Sequence, residues 1–353
     1  MSSHPAIIWW LRIVAAMVVA TLLVGGATRI TDSGLSIVEW APILGVVPPL
    51  THEAWLAALE AYRQIPEYQL VNRGMSMEEF QVIYWWEWGH RMIARTIGLV
   101  FVLPLVVFWV RGMLPGWFKP WALVLLALGG LQGFVGWWMV SSGLVDRVDV
   151  SQYRLAVHLL LACFILALTV WLTVRLAGRA GAVAAPSAVG WGAALLAVVL
   201  FAQIGLGALV AGIDAGLASD TWPLMAGALV PDGLAALSPA WLNAFENPLT
   251  VQFNHRIMGY LVLLIALLHA AMALRAGAGR TGALVLLALV AGQAVSGILV
   301  VVWQVPPVLA GLHQVTAAIT LWVAVAHATL VLPRDAKALA AAPALPAAAE
   351  QTA

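Results

Sequence analysis

Long unbroken apolar runs, with neither strict alternation nor a narrow amphipathic stripe, dominate this chain. Eight are long enough to cross roughly 30 Å of hydrocarbon: residues 7–27, 88–110, 120–140, 154–175, 189–212, 255–274, 281–302 and 308–332. The pattern predicts an all-α, polytopic membrane protein of eight transmembrane helices. The first run resembles a signal peptide in length, but an internal repeat gives it a later counterpart, so it reads as a helix.

Charge between the runs sets an orientation. With the N-terminus inside, the inner segments hold Arg12, Arg111, Lys119, Arg175, Arg179, Arg275, Arg280, Arg334 and Lys337, and their only acids are Asp335 and Glu350. Lys/Arg bias governs topology. Arg29, Arg63, Arg73 and Arg147 dilute it on the other side, but the short loops still favour both termini in the cytoplasm of a cell with an inner membrane. The outer loops, near 28–84 and 213–250, are expected to carry short amphipathic helices, and the Ala/Pro-rich stretch 334–353 reads as a disordered tail.

The two halves of the chain repeat. Gly25, Asp32, Gly34, Leu35, Trp40 and Pro49 match Gly207, Asp214, Gly216, Leu217, Trp222 and Pro231 at an offset of 182; His90-Arg91 matches His255-Arg256 at 165; Gln132 and Gly136 match Gln293 and Gly297 at 161; and His158 matches His313 at 155. The offset shrinks because the first half has longer loops. Four spans per repeat is an even number, so both halves keep one orientation. They are expected to form two parallel four-helix bundles about a pseudo-twofold axis, residues 1–180 and 181–333, unlike the inverted repeats of many transporters.

Four of the eight histidines are the repeated ones. His90 and His255 stand at the starts of the second and sixth runs, with His158 and His313 early in the fourth and eighth. All four runs cross in the same direction, so the imidazoles share a shallow depth near the outer face. Paired imidazoles from facing helices hold heme iron in bundles, which points to two sites, His90/His158 and His255/His313. One histidine on an apolar helix is usually a hydrogen-bonded core residue; four duplicated at one depth are poorly explained that way, because ionisable groups in membranes are costly. Zinc is disfavoured, since no carboxylate or thiolate completes a closed shell at either pair.

Arg91 and Arg256 directly follow the first histidine of each pair, with Arg95 one turn deeper. They suit heme propionates or, equally, snorkelling to lipid headgroups. Glu87 precedes His90 by three residues where Gln252 precedes His255, each on its histidine's face. An acid beside heme can move protons or stabilise positive charge; an amide cannot. Glu87 also stands in the favoured order for an ion pair with Arg91. If the asymmetry is functional, the first half is reactive and the second retains a cofactor. Gln132 and Gln293 sit among glycines and read first as packing residues. His269 and His327 follow His255 and His313 by fourteen residues, roughly 21 Å of rise, as in a carrier with two hemes. Near the inner interface a solvated histidine is the simpler reading.

Composition narrows the class further. The chain is 63% hydrophobic and 9% charged, against about a quarter charged in soluble domains. A net charge of +1 with no basic run gives no sign of nucleic-acid binding. Cys163 is the one cysteine, which excludes an internal disulfide and the usual covalent heme attachment. Most of the 18 Trp lie near run ends, as interfacial anchors do.

The stretches GGATRITDSGLSIVEWAP from Gly25, GVVPPLT from Gly45 and YWWEWGHRMIAR from Tyr84 resemble heme A synthases. So do LVAGIDAGLASDTWPLM from Leu209, VQFNHRIMG from Val251 and GLHQVTA from Gly311. The similarity covers essentially the whole membrane part. A long first outer loop without a cysteine pair is similar to the mitochondrial and alpha-proteobacterial type. The resemblance implies oxidation of one heme O methyl group to the formyl group of heme A for terminal oxidase assembly, with heme B as cofactor. It implies a substrate side at Glu87, His90 and His158 and heme B ligands at His255 and His313. Heme O synthase and an electron-transfer protein are partners compatible with it. The alternatives are a b-type electron-transfer cytochrome, which the deep histidines favour, and a heme transporter.

Overall fold

The computed structural model describes residues 4–41 and 44–333; the tail expected to be disordered lies outside them. The elements in chain order are α1 (Pro5–Ile30), α2 (His52–Arg63), α3 (Pro66–Leu70), α4 (Met77–Val110), α5 (Lys119–Ser141) and α6 (Gln152–Leu176), then α7 (Ser187–Gly212), α8 (Asn243–Glu246), α9 (Pro248–Ala276), α10 (Arg280–Val302) and α11 (Pro307–Val331). Among the described residues, eight of these helices are long and apolar enough to span a membrane: α1, α4, α5, α6, α7, α9, α10 and α11. The chain is all-α and multi-pass, and the amphipathic α2, with α3, lies in the first long loop.

Two helices begin earlier than hydropathy alone predicts. Ser76 caps α4 by accepting from Glu79 N while the Glu79 side chain accepts from Ser76 N, a reciprocal box that starts the helix at Met77. Asn247 accepts from Leu249 N, with Pro248 at the first helical position of α9. His90 and His255 therefore lie about 20 Å and about 10 Å inside their helices rather than at the starts. Polar first turns carry the helix beyond the apolar window.

Packing runs in order around each half. α1 touches α4 and α6, and α6 touches α5; α7 touches α9 and α11, and α10 packs on both α9 and α11. The halves meet where α1, α6, α7 and α11 pack on one another, around buried Leu11, Leu166, Leu196 and Leu321. The seams differ. α9 and α10 pack along their length, but α4 and α5 barely touch. Leu99 and Leu103 on α4 and Leu131 and Phe134 on α5 are exposed, as lipid-facing side chains are. Gly89, Gly98, Gly129, Gly130 and Gly133 on these two helices have open space where a side chain would be.

The end of the bundle that carries the long connections (the loop face) has its own apolar core. Leu35, Leu59, Tyr62, Ile65, Phe80, Ile83, Tyr84 and Val150 bury together there, tying α2 and α3 to α4. At the opposite end the inter-half linker is fastened to the end of α11, Gly181 N donating to Thr329 O at 2.8 Å and Val183 N to Leu330 O at 3.1 Å.

Candidate functional site

Each repeated histidine rests against a repeated glycine. A Cβ placed on Gly25, Gly136, Gly207 or Gly297 would stand 2.9 Å from His90 Nε2, 3.0 Å from His158 Cε1, 3.2 Å from His255 Cε1 or 3.1 Å from His313 Cε1. These approaches are closer than ordinary van der Waals contact, so glycine is what admits the rings between helices. His90 and His158 lie within electrostatic reach of each other, and so do His255 and His313. The four rings thus form two neighbouring pairs, between α4 and α6 and between α9 and α11.

The halves support their rings differently. Gln132 on α5 donates from Nε2 to the His158 carbonyl at 3.1 Å and lies 3.2 Å from its Nδ1. Gln132 was expected to serve packing first; it touches a candidate ligand instead. Gln203 on α7 does the same for His255, at 3.0 Å from the carbonyl and 3.2 Å from Nδ1. Oε1 of both amides is buried without a hydrogen-bond partner among the described residues. Ser296 Oγ lies 2.8 Å from His313 Nδ1, which orients that ring and leaves Nε2 for a metal. Gln293 bonds Thr316 Oγ1. Gln203 and Ser296 escaped the sequence reading. The available signal was that a lone amide or hydroxyl inside an apolar run needs a partner. At the offsets of the repeat their counterparts are Thr21 and Val135, so neither support is duplicated.

Glu87 is 3% exposed and fully engaged. Its Oε2 accepts from Ser36 Oγ and Ile37 N, both at 2.7 Å; its Oε1 accepts from Arg91 Nη2 at 2.6 Å and Nε at 3.1 Å. Arg91 also donates to Ile37 O at 2.8 Å and Glu39 O at 3.1 Å. In the other half Arg256 donates to Ser219 O at 3.0 Å, Thr221 O at 2.9 Å and Gln252 Oε1 at 3.2 Å, while Gln252 Nε2 donates to Gly216 O and Ser219 O. Both arginines, considered from sequence for propionates or headgroups, spend these donors on loop carbonyls at matching positions of the repeat.

Above the pairs, Arg29 reaches Asp32 at 2.9 Å, Asp214 at 3.0 Å and Asp149 at 3.5 Å. Asp32 and Asp214 both adopt left-handed backbone, φ 46° and 50°, which Asp tolerates better than most residues. Far from this end, His269 and His327 are not solvated as expected. They are 1% and 5% exposed, and their Nε2 atoms lie 2.9 Å apart. Gly192, Gly279 and Gly282 press against the two rings and admit them to the interior. That contact gives each of these buried rings a hydrogen-bond partner in the other.

The donor chemistry at the loop-face pairs fits heme: two imidazoles per half between apolar helices, with a hydroxyl holding one ring in the second half. Residues 8–325 match the family described as COX15-CtaA, Cytochrome oxidase assembly protein. The chain belongs to this family. Similar relatives include proteins named Heme A synthase from Allorhizobium ampelinum, 55% identical over 90% of this chain and 88% of the relative, and from Chelativorans sp., 54% identical over 90% and 89%. Another protein of that name, from Bradyrhizobium diazoefficiens, is 52% identical over 91% and 90%. A COX15-CtaA assembly protein is thus built here on two histidine pairs with unequal surroundings.

Proposed function

We propose that the chain is a heme A synthase of a bacterial inner membrane, oxidising a methyl group of heme O to the formyl group of heme A for cytochrome oxidase. Heme O docks in the first half, residues 1–180, and heme B is held in the second, residues 181–333. Family membership and the relatives' names support the reaction. The observation that supports the division of labour is the seam between α4 and α5. α4 and α5 barely touch, and glycines on both helices have open space beside them, whereas α9 and α10 pack closely. A substrate that arrives from and returns to the lipid needs such an opening; a resident cofactor needs the opposite.

His255 and His313 would hold heme B, which supplies a redox-active iron when bound. Ser296 fixes His313 in the orientation that presents Nε2. In the first half His90 and His158 bind and orient heme O, and Gln132 steadies His158. Glu87 and Arg91 clamp residues 36–39 over this site and keep water from its outer end. The buried Glu87 carboxylate is the anchor of this clamp, held by Ser36, Ile37 and Arg91. Both termini are cytoplasmic in this reading, the sites lie near the periplasmic face, and heme O synthase and an electron-transfer protein are the partners.

Heme extraction from cells carrying this chain beside a heme O source tests the proposal. Chromatography should reveal heme A; heme O alone would leave an electron-transfer cytochrome as the better account.

A further inference from the structure

The connection from α1 to α4 is longer than that from α7 to α9, and the repeat offset falls from 182 to 165 across it. α2 and α3 lie in this connection, and α3 buries a carboxyl group at the loop face of the first half. Glu67 is 5% exposed, and its Oε2 is buried without a hydrogen-bond partner among the described residues. Tyr62 from α2 is its hydrogen-bonding neighbour. The Tyr62 hydroxyl accepts from Asn72 Nδ2 at 2.7 Å, so its own proton is available to the carboxyl group.

The charged groups facing Glu67 come from three other elements: Asp32 after α1, Asp149 ahead of α6 and Glu87 on α4. All are acidic. Asp32 and Asp149 have side chains 67% and 40% exposed, so they meet water. Glu87 is buried and stands three residues before His90. Glu67 is thus within electrostatic reach both of the wetted Asp32 and Asp149 and of Glu87 beside the candidate reaction site.

We propose that Glu67 is a proton relay between the first-half site and the aqueous phase at the loop face. This rests on the reading that the first half oxidises heme O. Oxidising a methyl to a formyl group with oxygen from water releases electrons, which leave to the electron-transfer partner, and protons, which have to cross an apolar wall. A proton leaving the site forms the Glu67 acid. That acid's O–H bond then breaks toward water beside Asp32 and Asp149, regenerating the carboxylate. Burial, with the neighbouring acids Asp32, Asp149 and Glu87 adding to it, pushes Glu67 up to about 8 while Tyr62 opposes the shift; a group in that range both takes and gives protons near neutral pH.

Two measurements on the full, heme-loaded chain test this. Infrared spectra of the purified protein, recorded across pH without substrate, should contain a carboxylic acid band that titrates near pH 8 and is missing in Glu67→Gln. Heme A formation by Glu67→Gln should fall by about tenfold, less than the 10²–10⁴ of a direct acid–base group. The variant should also lose the alkaline dependence of the wild type, keep its heme B spectrum, and be partly rescued by Glu67→Asp. A band that survives in Glu67→Gln, or an unchanged pH–rate profile, would overturn the relay. A wild-type chain that shows the titrating band but forms no heme A would overturn the underlying reaction instead.

Discussion

Glu87 and Gln252 hold the same place in the two halves but meet their loops with opposite polarity: Glu87 accepts from Ser36 and Ile37, whereas Gln252 donates to Gly216 and Ser219. Each side chain matches the groups its own loop presents, so the two are not interchangeable. Glu87→Gln would aim its NH2 either at the Ile37 N–H or at Arg91, a donor against a donor in both cases. We expect a loss of about 1–3 kcal/mol, seen as a lower melting temperature in detergent, together with a sharp fall in heme A. Arg91→Gln should lower heme A in the same way, because the two residues form one brace. Normal heme A from Arg91→Gln would assign the chemistry to Glu87 alone. Gln252→Glu should destabilise for the mirror-image reason, its carboxylate facing two carbonyls.

Ser296→Ala removes the group that orients His313. Affinity for heme B should drop about 10–100-fold, measured by heme titration of the purified protein, while the low-spin spectrum of the loaded form persists. His255→Ala and His313→Ala should abolish heme B binding. Full heme retention in both histidine variants would show that the ligands lie elsewhere.

His269→Ala leaves His327 Nε2 buried without its partner. Stability should fall by about 1–3 kcal/mol with heme content unchanged, and His327→Ala should behave alike. Loss of heme from either variant would restore the idea of an inner heme.

Glu67 also makes stability depend on pH. Its folded value of about 8 lies above the ordinary 4.5, so the unfolded chain binds fewer protons between these limits. Its contribution is complete below about 4.5 and is lost as pH rises through 8. The melting temperature of the wild type should decline across that window, relative to Glu67→Gln. Parallel melting curves at pH 6 and pH 9 would show that Glu67 is not buried as a neutral acid.

Orientation is open to direct measurement. Reporter fusions after Gly112 and Gly178 should report cytoplasm, and one after Val145 the periplasm. A cytoplasmic signal at Val145 would invert the arrangement and move both histidine pairs to the other side.

The spans were legible because uninterrupted apolar length is a strong signal, and the duplicated histidines were legible because each recurs in the other half at the same depth. Helix starts at Met77 and Pro248 were not, although Ser76 and Glu79 spell the capping box outright; hydropathy ignores it. Polar partners such as Ser36, Gln203 and Ser296 were missed because they are single residues whose meaning depends on what a distant helix or loop offers them. His269 and His327 were misread as solvated because depth along a helix does not reveal whether a neighbouring helix approaches on glycine.

Arg29 binds Asp32 and Asp214 at once, two residues that are the same position of the repeat, and the second-half counterpart of Arg29 is Ala211. A group that touches both copies of one position sits where the copies face each other, and a single guanidinium fills that place. Two first halves assembled together would bring two arginines into it; two second halves would bring none and leave a pair of aspartates in opposition. Only the mixed pairing sets one guanidinium against the two aspartates. At this residue the two halves are therefore no longer interchangeable: an arginine that belongs to the first half alone ties the second half to it.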